Sequence, residues 1–151
     1  DEGREEEVIT RMARVGYDNP VGFLKGGIEA WVADGSALDN INNYEPREFI
    51  ETYKTQGLEV LDVRKQSEFE SQHLEGAENF PLDFIYKSLG QLNKDKAYTV
   101  HCAGGYRSVA AASIMKKYGV KDVSNVLGGF NAMKALDNAP VSAFHEQTTM
   151  L

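Results

Sequence analysis

Between residues 43 and 140 short β-forming runs alternate with helical patterns, and this alternation restricts the fold more than any other feature of the chain. Residues 58–63, 97–101 and 123–127 read as strands, and 77–82 as a shorter extended run. Between them Pro46 opens a helix through Phe49, Ile50 and Tyr53 that closes before Gly57. Residues 65–72 and 83–89 predict short helices, and 107–118 a strong one with Val109, Ala112, Ile114 and Met115 on or near one face. A last helix starts at Gly128-Gly129 and runs through Phe130 and Met133. Such alternation implies an α/β fold, an open parallel sheet flanked by helices on both faces, with its sites at the C-terminal strand ends.

Composition narrows the partners. The single cysteine among 151 residues excludes an internal disulfide and a cysteine-rich zinc site, so packing must hold the domain together and the compartment is expected to be reducing. Sixteen Lys and Arg against 23 Asp and Glu leave a net charge of −7, with the basic residues scattered, which argues against nucleic acid. No apolar stretch approaches the roughly twenty residues of a membrane span, and the opening DEGREEE is the opposite of a basic-then-apolar signal peptide. A cytoplasmic protein with neither a nucleic-acid nor a membrane partner is expected. The abrupt acidic start without Met also implies that residue 1 is not the natural beginning.

The chain contains an internal repeat. Arg4, Met12 and Gly16 match Arg107, Met115 and Gly119 at a separation of 103, and Gly26, Gly27 and Ala30 match Gly128, Gly129 and Ala132 at 102. Two helix–strand–Gly-Gly units can look alike by chance, but the order and spacing agree. The second copy follows some sixty residues of pattern that the first lacks. Residues 1–36 are therefore expected to be the C-terminal part of a first, truncated module, 37–42 a linker, 43–140 a complete module and 141–151 a tail. Val8, Ile9, Met12, Val15, Phe23, Leu24, Ile28 and Trp31 would then pack on the complete module or on another chain, as in a homodimer.

One strand end carries the chemistry. The strand 97–101 runs into Cys102-Ala103-Gly104-Gly105-Tyr106-Arg107 and then a helix. A lone cysteine is ordinarily a small buried hydrophobe, but two glycines let successive N–H groups converge on one point as an anion-binding nest. The helix N-terminus adds partial positive charge, and Arg107 a full one. A thiol in such a cradle ionises below its free pKa of roughly 8.5. The cradle would equally hold a second, terminal sulfur. Four residues separate Cys102 from Arg107, where a phosphate-handling cysteine loop has five, so this loop is sized for one sulfur atom rather than a phosphoryl group.

On these residues the chain resembles the rhodanese family of sulfurtransferases over about residues 43–136. The active-site loop Cys102 to Ser108, the block Asp62-Val63-Arg64 with Glu68-Phe69, His73-Leu74-Glu75-Gly76-Ala77 and Asn79-Phe80-Pro81-Leu82, and the closing Val126-Leu127-Gly128-Gly129-Phe130 with Ala132 carry the resemblance. Gln72, Glu75 and Met133 depart from the usual Gly, Pro and Trp without touching the cradle. The resemblance implies that Cys102 accepts sulfane sulfur as a persulfide, that N–H groups from Ala103 to Arg107 cradle it, that Arg107 adds charge and that Ser108 fixes the helix start. A small-molecule donor such as thiosulfate or a persulfide would load the cysteine, and a thiol or cyanide would unload it. Tyr106 would either shape the donor entrance or pack on a neighbouring helix.

Asp62 and Arg64 are read as structural, with Arg64 paired to Glu68 one helical turn on. His73 and His101 are also read as structural, since His145 lies in a polar tail and no carboxylate stands at ligand spacing. No metal or other cofactor is expected. In the first copy Glu5-Glu6-Glu7 stands where the second has Ser108-Val109-Ala110, which favours an inactive partner module, though acidic residues also suit a first helical turn. The Gly-Arg-Glu-Glu-Glu helix and the Gly-Tyr-Asp-Asn segment resemble the end of tandem-rhodanese proteins that follow a metallo-β-lactamase-fold hydrolase. The resemblance implies such a domain upstream of Asp1.

Overall fold

The computed structural model describes residues 3–13 and 19–145, apart from the side chains of Arg11 and Met12. Residues 1–40 and 41–151 are separate compact units. In the larger unit five strands, β1 (Asn42–Tyr44), β2 (Val60–Asp62), β3 (Glu78–Asn79), β4 (Ala97–His101) and β5 (Asp122–Val126), form one sheet in the order β1-β5-β4-β2-β3. Every pairing is parallel. The helices of this unit are α3 (Pro46–Gln56), α4 (Gln66–Ser71), α5 (Ile85–Ser88), α6 (Tyr106–Tyr118) and α7 (Gly129–Lys134).

The strand period of two sorts apolar side chains onto two faces. Leu61, Tyr98, Val100 and Val123 join Ile85 of α5 and Ala111, Ala112 and Met115 of α6 in one buried layer. Val60 and Val126 join Phe49 and Ile50 of α3 and Phe130 and Met133 of α7 in the other. Pro46 is the first residue of α3, and Gly57 ends it in the left-handed region at φ 62°. On α6 the buried stripe is Ser108, Ala111, Ala112 and Met115, the i, i+3, i+4, i+7 positions of one helical face. Val109 lies off that stripe, one residue round the helix from Ser108, and is exposed, contrary to expectation.

Three other expectations change. Asn42, expected in a linker, belongs to β1, which pairs Asn42, Asn43 and Tyr44 with Ser124, Asn125 and Val126. Backbone pairing at a sheet edge makes a strand there from a polar run with little β pattern. The helix expected over 83–89 is one α turn between two 3-10 turns, Leu82–Phe84 and Leu89–Gln91, which still turn Ile85 and Leu89 inward. The start of the tail is strapped down: Glu75 N–H donates to Pro140 O at 2.8 Å, Ser142 N–H to His73 O at 2.9 Å and His145 N–H to Ser71 O at 2.8 Å. Residues 146–151 lie outside the described residues.

The smaller unit contains α1 (Glu5–Ala13) and α2 (Gly27–Ala33). Gly26 and Gly27 have φ of 83° and 59°, matching the 68° and 56° of Gly128 and Gly129, so the repeat extends to backbone conformation. Val8, Ile9, Phe23, Leu24, Ile28 and Trp31, expected to pack on the complete module or on another chain, are exposed in the single chain, whose smaller unit has two short helices and no strand among its described residues. Gly16 of the repeat and Val15 of the apolar set, with Tyr17 and Asp18, lie outside the described residues.

Candidate active site

β2 and β4 are neighbours, but the chain leaves β2 toward β3 and leaves β4 toward β5. Connections that depart in opposite directions open a crevice at the C-terminal strand ends, where α/β folds bind ligands. The loop after β4 is Cys102 to Gly105, and α6 begins at Tyr106. Gly105 has φ 97° and ψ −11°, the left-handed turn that aims the first amides of α6 back at Cys102.

The Cys102 residue is buried, 1% exposed. Gly105 N–H donates to its Sγ at 3.1 Å, and Ser108 Oγ lies 3.6 Å from the same sulfur. Burial pushes the thiol upward, but the Ser108 hydroxyl and the N–H groups of Ser108, Gly105 and Gly104 outweigh it, and the thiol is held below its ordinary value. The Ser108 hydroxyl has one proton and a second acceptor, Gly105 O at 3.0 Å. Charge on sulfur draws that proton toward Sγ. Ser108 thus acts on the nucleophile itself as well as on the helix start.

The underside of the loop is held by α7. Phe130 N–H donates to Cys102 O at 2.7 Å and Asn131 N–H to Ala103 O at 3.0 Å. Gly129 has no room for a side chain, since a Cβ there would stand 2.3 Å from Cys102 O and 2.9 Å from Ala103 O. The Gly128-Gly129 pair, which the sequence marks as the start of the last helix, is therefore also part of the cysteine site. Its distance in sequence from Cys102 hid the contact.

Arg107 and Glu68 meet across the crevice. Arg107 Nη1 donates to Glu68 Oε2 at 2.7 Å and Nη2 to Oε1 at 3.0 Å, a bidentate pair about one third exposed. The hydrogen bond from Arg107 pulls Glu68 below the usual carboxylate range against its partial burial. Arg107 is raised first by its hydrogen bond to Glu68, with the Cys102 sulfur a smaller influence. The expected Arg64–Glu68 pair does not form. Asp62 takes Arg64 instead, with Nη2 to Oδ2 at 2.6 Å and Nε within 2.9 Å of both carboxylate oxygens. The Arg64 guanidinium also donates to Gln72 O at 2.8 Å and lies 4.1 Å over the Phe130 ring. Glu68 is the site residue that sequence reasoning missed as such.

Tyr106 is 91% exposed at the loop tip, so it does not pack on a neighbouring helix. His101 is wholly buried beneath the loop, its Nε2 without a hydrogen-bond partner and 3.9 Å from Asp62 Oδ2. Burial pushes it below the ordinary imidazole value, against the pull of Asp62. His73 stacks on Phe69, with ring centroids 3.9 Å apart. Among the described residues no group of three or more His, Cys, Asp and Glu is placed to hold a metal ion, and no helix is long and apolar enough to cross a membrane.

A thiol in a glycine turn at the switch point of a parallel sheet defines a cysteine-loop α/β domain. The family follows from comparison: the Rhodanese-like domain family matches residues 45–136, and the chain belongs to it. It is 33% identical over 107 residues to YrkF of Bacillus subtilis, whose name makes it a candidate sulfur carrier, covering 71% of this chain and 57% of that protein. It is 24% identical over 95 residues to the thiosulfate sulfurtransferase GlpE of Shewanella oneidensis, covering 63% of this chain and 94% of that protein. Among solved structures, a rhodanese-related protein from Thermoplasma volcanium matches with a TM-score of 0.60 and 28% identity, over 67% of this chain and 97% of that one. The chain spans little more than half the length of YrkF and of a second Bacillus subtilis relative, YqhL.

Proposed function

We propose that this domain is a sulfurtransferase that moves sulfane sulfur through a Cys102 persulfide. The observation that carries the reading is the Sγ itself, buried yet held below its ordinary pKa by Gly105 N–H at 3.1 Å and the Ser108 hydroxyl at 3.6 Å. In loading from thiosulfate, the Cys102 thiolate attacks the outer sulfur, the S–S bond breaks and sulfite leaves with the bonding pair. In unloading, an acceptor thiolate or cyanide attacks the terminal sulfur and the Cys102 thiolate leaves. The same donors that stabilise the resting thiolate serve the anionic persulfide and the leaving thiolate. With one cysteine in the chain the acceptor must come from outside it. The relatives named for thiosulfate sulfurtransfer support this reading.

A second reading, a carrier that holds the persulfide for a partner enzyme, is favoured by the 1% exposure of Cys102, which shields the inner sulfur, and by the likeness to YrkF. Formation of thiocyanate from thiosulfate and cyanide, with Cys102→Ala as control, tests the enzyme. Mass spectrometry of Cys102 after exposure to donor tests the carrier. Turnover equal to that of the alanine variant, with a stable gain of one sulfur mass, selects the carrier, and no gain from any donor excludes both. Residues 1–36 are proposed to be the end of a first rhodanese-like module, on the repeat and the matching glycine conformations. The larger assembly with a metallo-β-lactamase-fold domain, a dimer through residues 1–36 and a cytoplasmic location are part of the same proposal.

A further inference from the structure

We propose that Glu68 is a positioning residue that sets the donor charge: by neutralising Arg107 it makes the site favour low-molecular-weight thiol persulfides over dianionic thiosulfate. The inference rests on the sulfurtransfer reading above and adds a substrate class to it. Arg107 is the only Lys or Arg from Ala97 to Met115, so it is the cation that β4, the loop and most of α6 bring to the sulfur. Across the crevice Arg64 is spent on Asp62, and Lys65 is exposed, where a mobile ammonium in water contributes little. Glu68 grips Arg107 with both oxygens and also accepts the Lys65 N–H at 3.3 Å, which ties it to the start of α4.

Thiolate, guanidinium and carboxylate together carry one net negative charge. A thiosulfate dianion must approach that charge without an uncompensated cation. A persulfide carries at most one negative charge on its sulfur, against two on thiosulfate, and its electrophilic R–S–SH form meets no such repulsion. Its transfer balances without a counter-charge: the thiolate attacks the terminal sulfur of R–S–SH, the S–S bond breaks, RS⁻ leaves with the pair, and the proton stays on the sulfur now bonded to Cys102. Glu68 occupies two of the five N–H donors of the guanidinium, so Arg107 keeps hydrogen bonds to offer while losing its net attraction. Glu68 itself stays off the reacting atoms and acts through Arg107.

The test is single-turnover loading of Cys102 in the full chain, followed by mass spectrometry, with thiosulfate and with cysteine persulfide as donors. Glu68→Gln keeps the shape and removes the charge. It is expected to raise the thiosulfate loading rate about tenfold, the effect of one unmasked charge near the protein surface, and to leave persulfide loading within about twofold. High salt and Glu68→Gln/Arg107→Gln should each abolish the gain, and Glu68→Asp, which keeps the charge, should retain the wild-type preference. An unchanged ratio of the two rates in Glu68→Gln, or a gain that persists in the double variant, overturns the proposal alone. A wild type that loads from neither donor overturns the sulfurtransfer reading and this proposal with it.

Discussion

Gly129→Ala should be among the most damaging single methyl groups that can be added to this domain. The new Cβ would lie 2.3 Å from Cys102 O, 2.9 Å from Ala103 O and 3.0 Å from Ala103 C, all backbone atoms that cannot swing aside as a side chain would. Two penalties combine. The φ of 56° costs an L-residue about 1–2 kcal/mol. Relieving the clash means separating α7 from the loop, which gives up the bonds from Phe130 N–H and Asn131 N–H at about 1 kcal/mol each. The expected loss is about 3–4 kcal/mol, a large part of the stability of a domain this size. Gly57→Ala is the matched control, because Gly57 has φ 62° and open space around it, and should cost only the backbone penalty. Urea unfolding measures both, and the alkylation rate of Cys102 reports whether the loop has moved. If Gly129→Ala costs no more than Gly57→Ala and leaves alkylation unchanged, the grip of α7 on the cysteine loop is not what the distances imply.

Ser108→Ala removes a donor to Sγ, so the pH midpoint of Cys102 alkylation should move upward while the fold persists. Asp62→Asn leaves the Arg64 guanidinium, on a residue only 5% exposed, without its counter-charge and should cost about 3–5 kcal/mol in urea unfolding. His101 titrates below its ordinary value in the fold, so below about pH 6.5 the unfolded chain binds more protons and stability falls with pH. His101→Phe, which keeps a ring against Phe130, should flatten that acid-side slope of unfolding free energy measured between about pH 6.5 and 5.

Local chemistry explains what was legible in the sequence. The strand Ala97–His101 is apolar enough to be read alone, and the Cys102–Gly105 turn followed by α6 needs only a glycine pair and a helix start. What escaped depends on residues far apart in the chain. Asn42–Tyr44 becomes a strand because β5 offers an open edge, which no property of Asn-Asn-Tyr announces. The pairing of Arg64 with Glu68 obeyed the one-turn rule for helices, but the two-residue reach to Asp62 in a buried site outcompeted it, and this freed Glu68 for an arginine 39 residues away. Val109 looked like a core residue by hydrophobicity. Helical phase decided instead: Val109 stands one residue off the Ser108, Ala111, Ala112, Met115 stripe and is turned outward.

The grip of α7 also bears on how such a loop could change its chemistry. One residue separates the four-residue spacing of Cys102 and Arg107 from the length used by phosphate-handling cysteine loops. The carbonyls of Cys102 and Ala103 are pinned by Phe130 and Asn131, so an inserted residue could not be absorbed at that end. It would have to enter at the tip, where Gly104 is exposed and Tyr106 is 91% exposed. The conversion between a sulfur-sized and a phosphate-sized pocket would then be a matter of the outer rim alone, with the nucleophile, its strand and the glycine floor beneath it left in place.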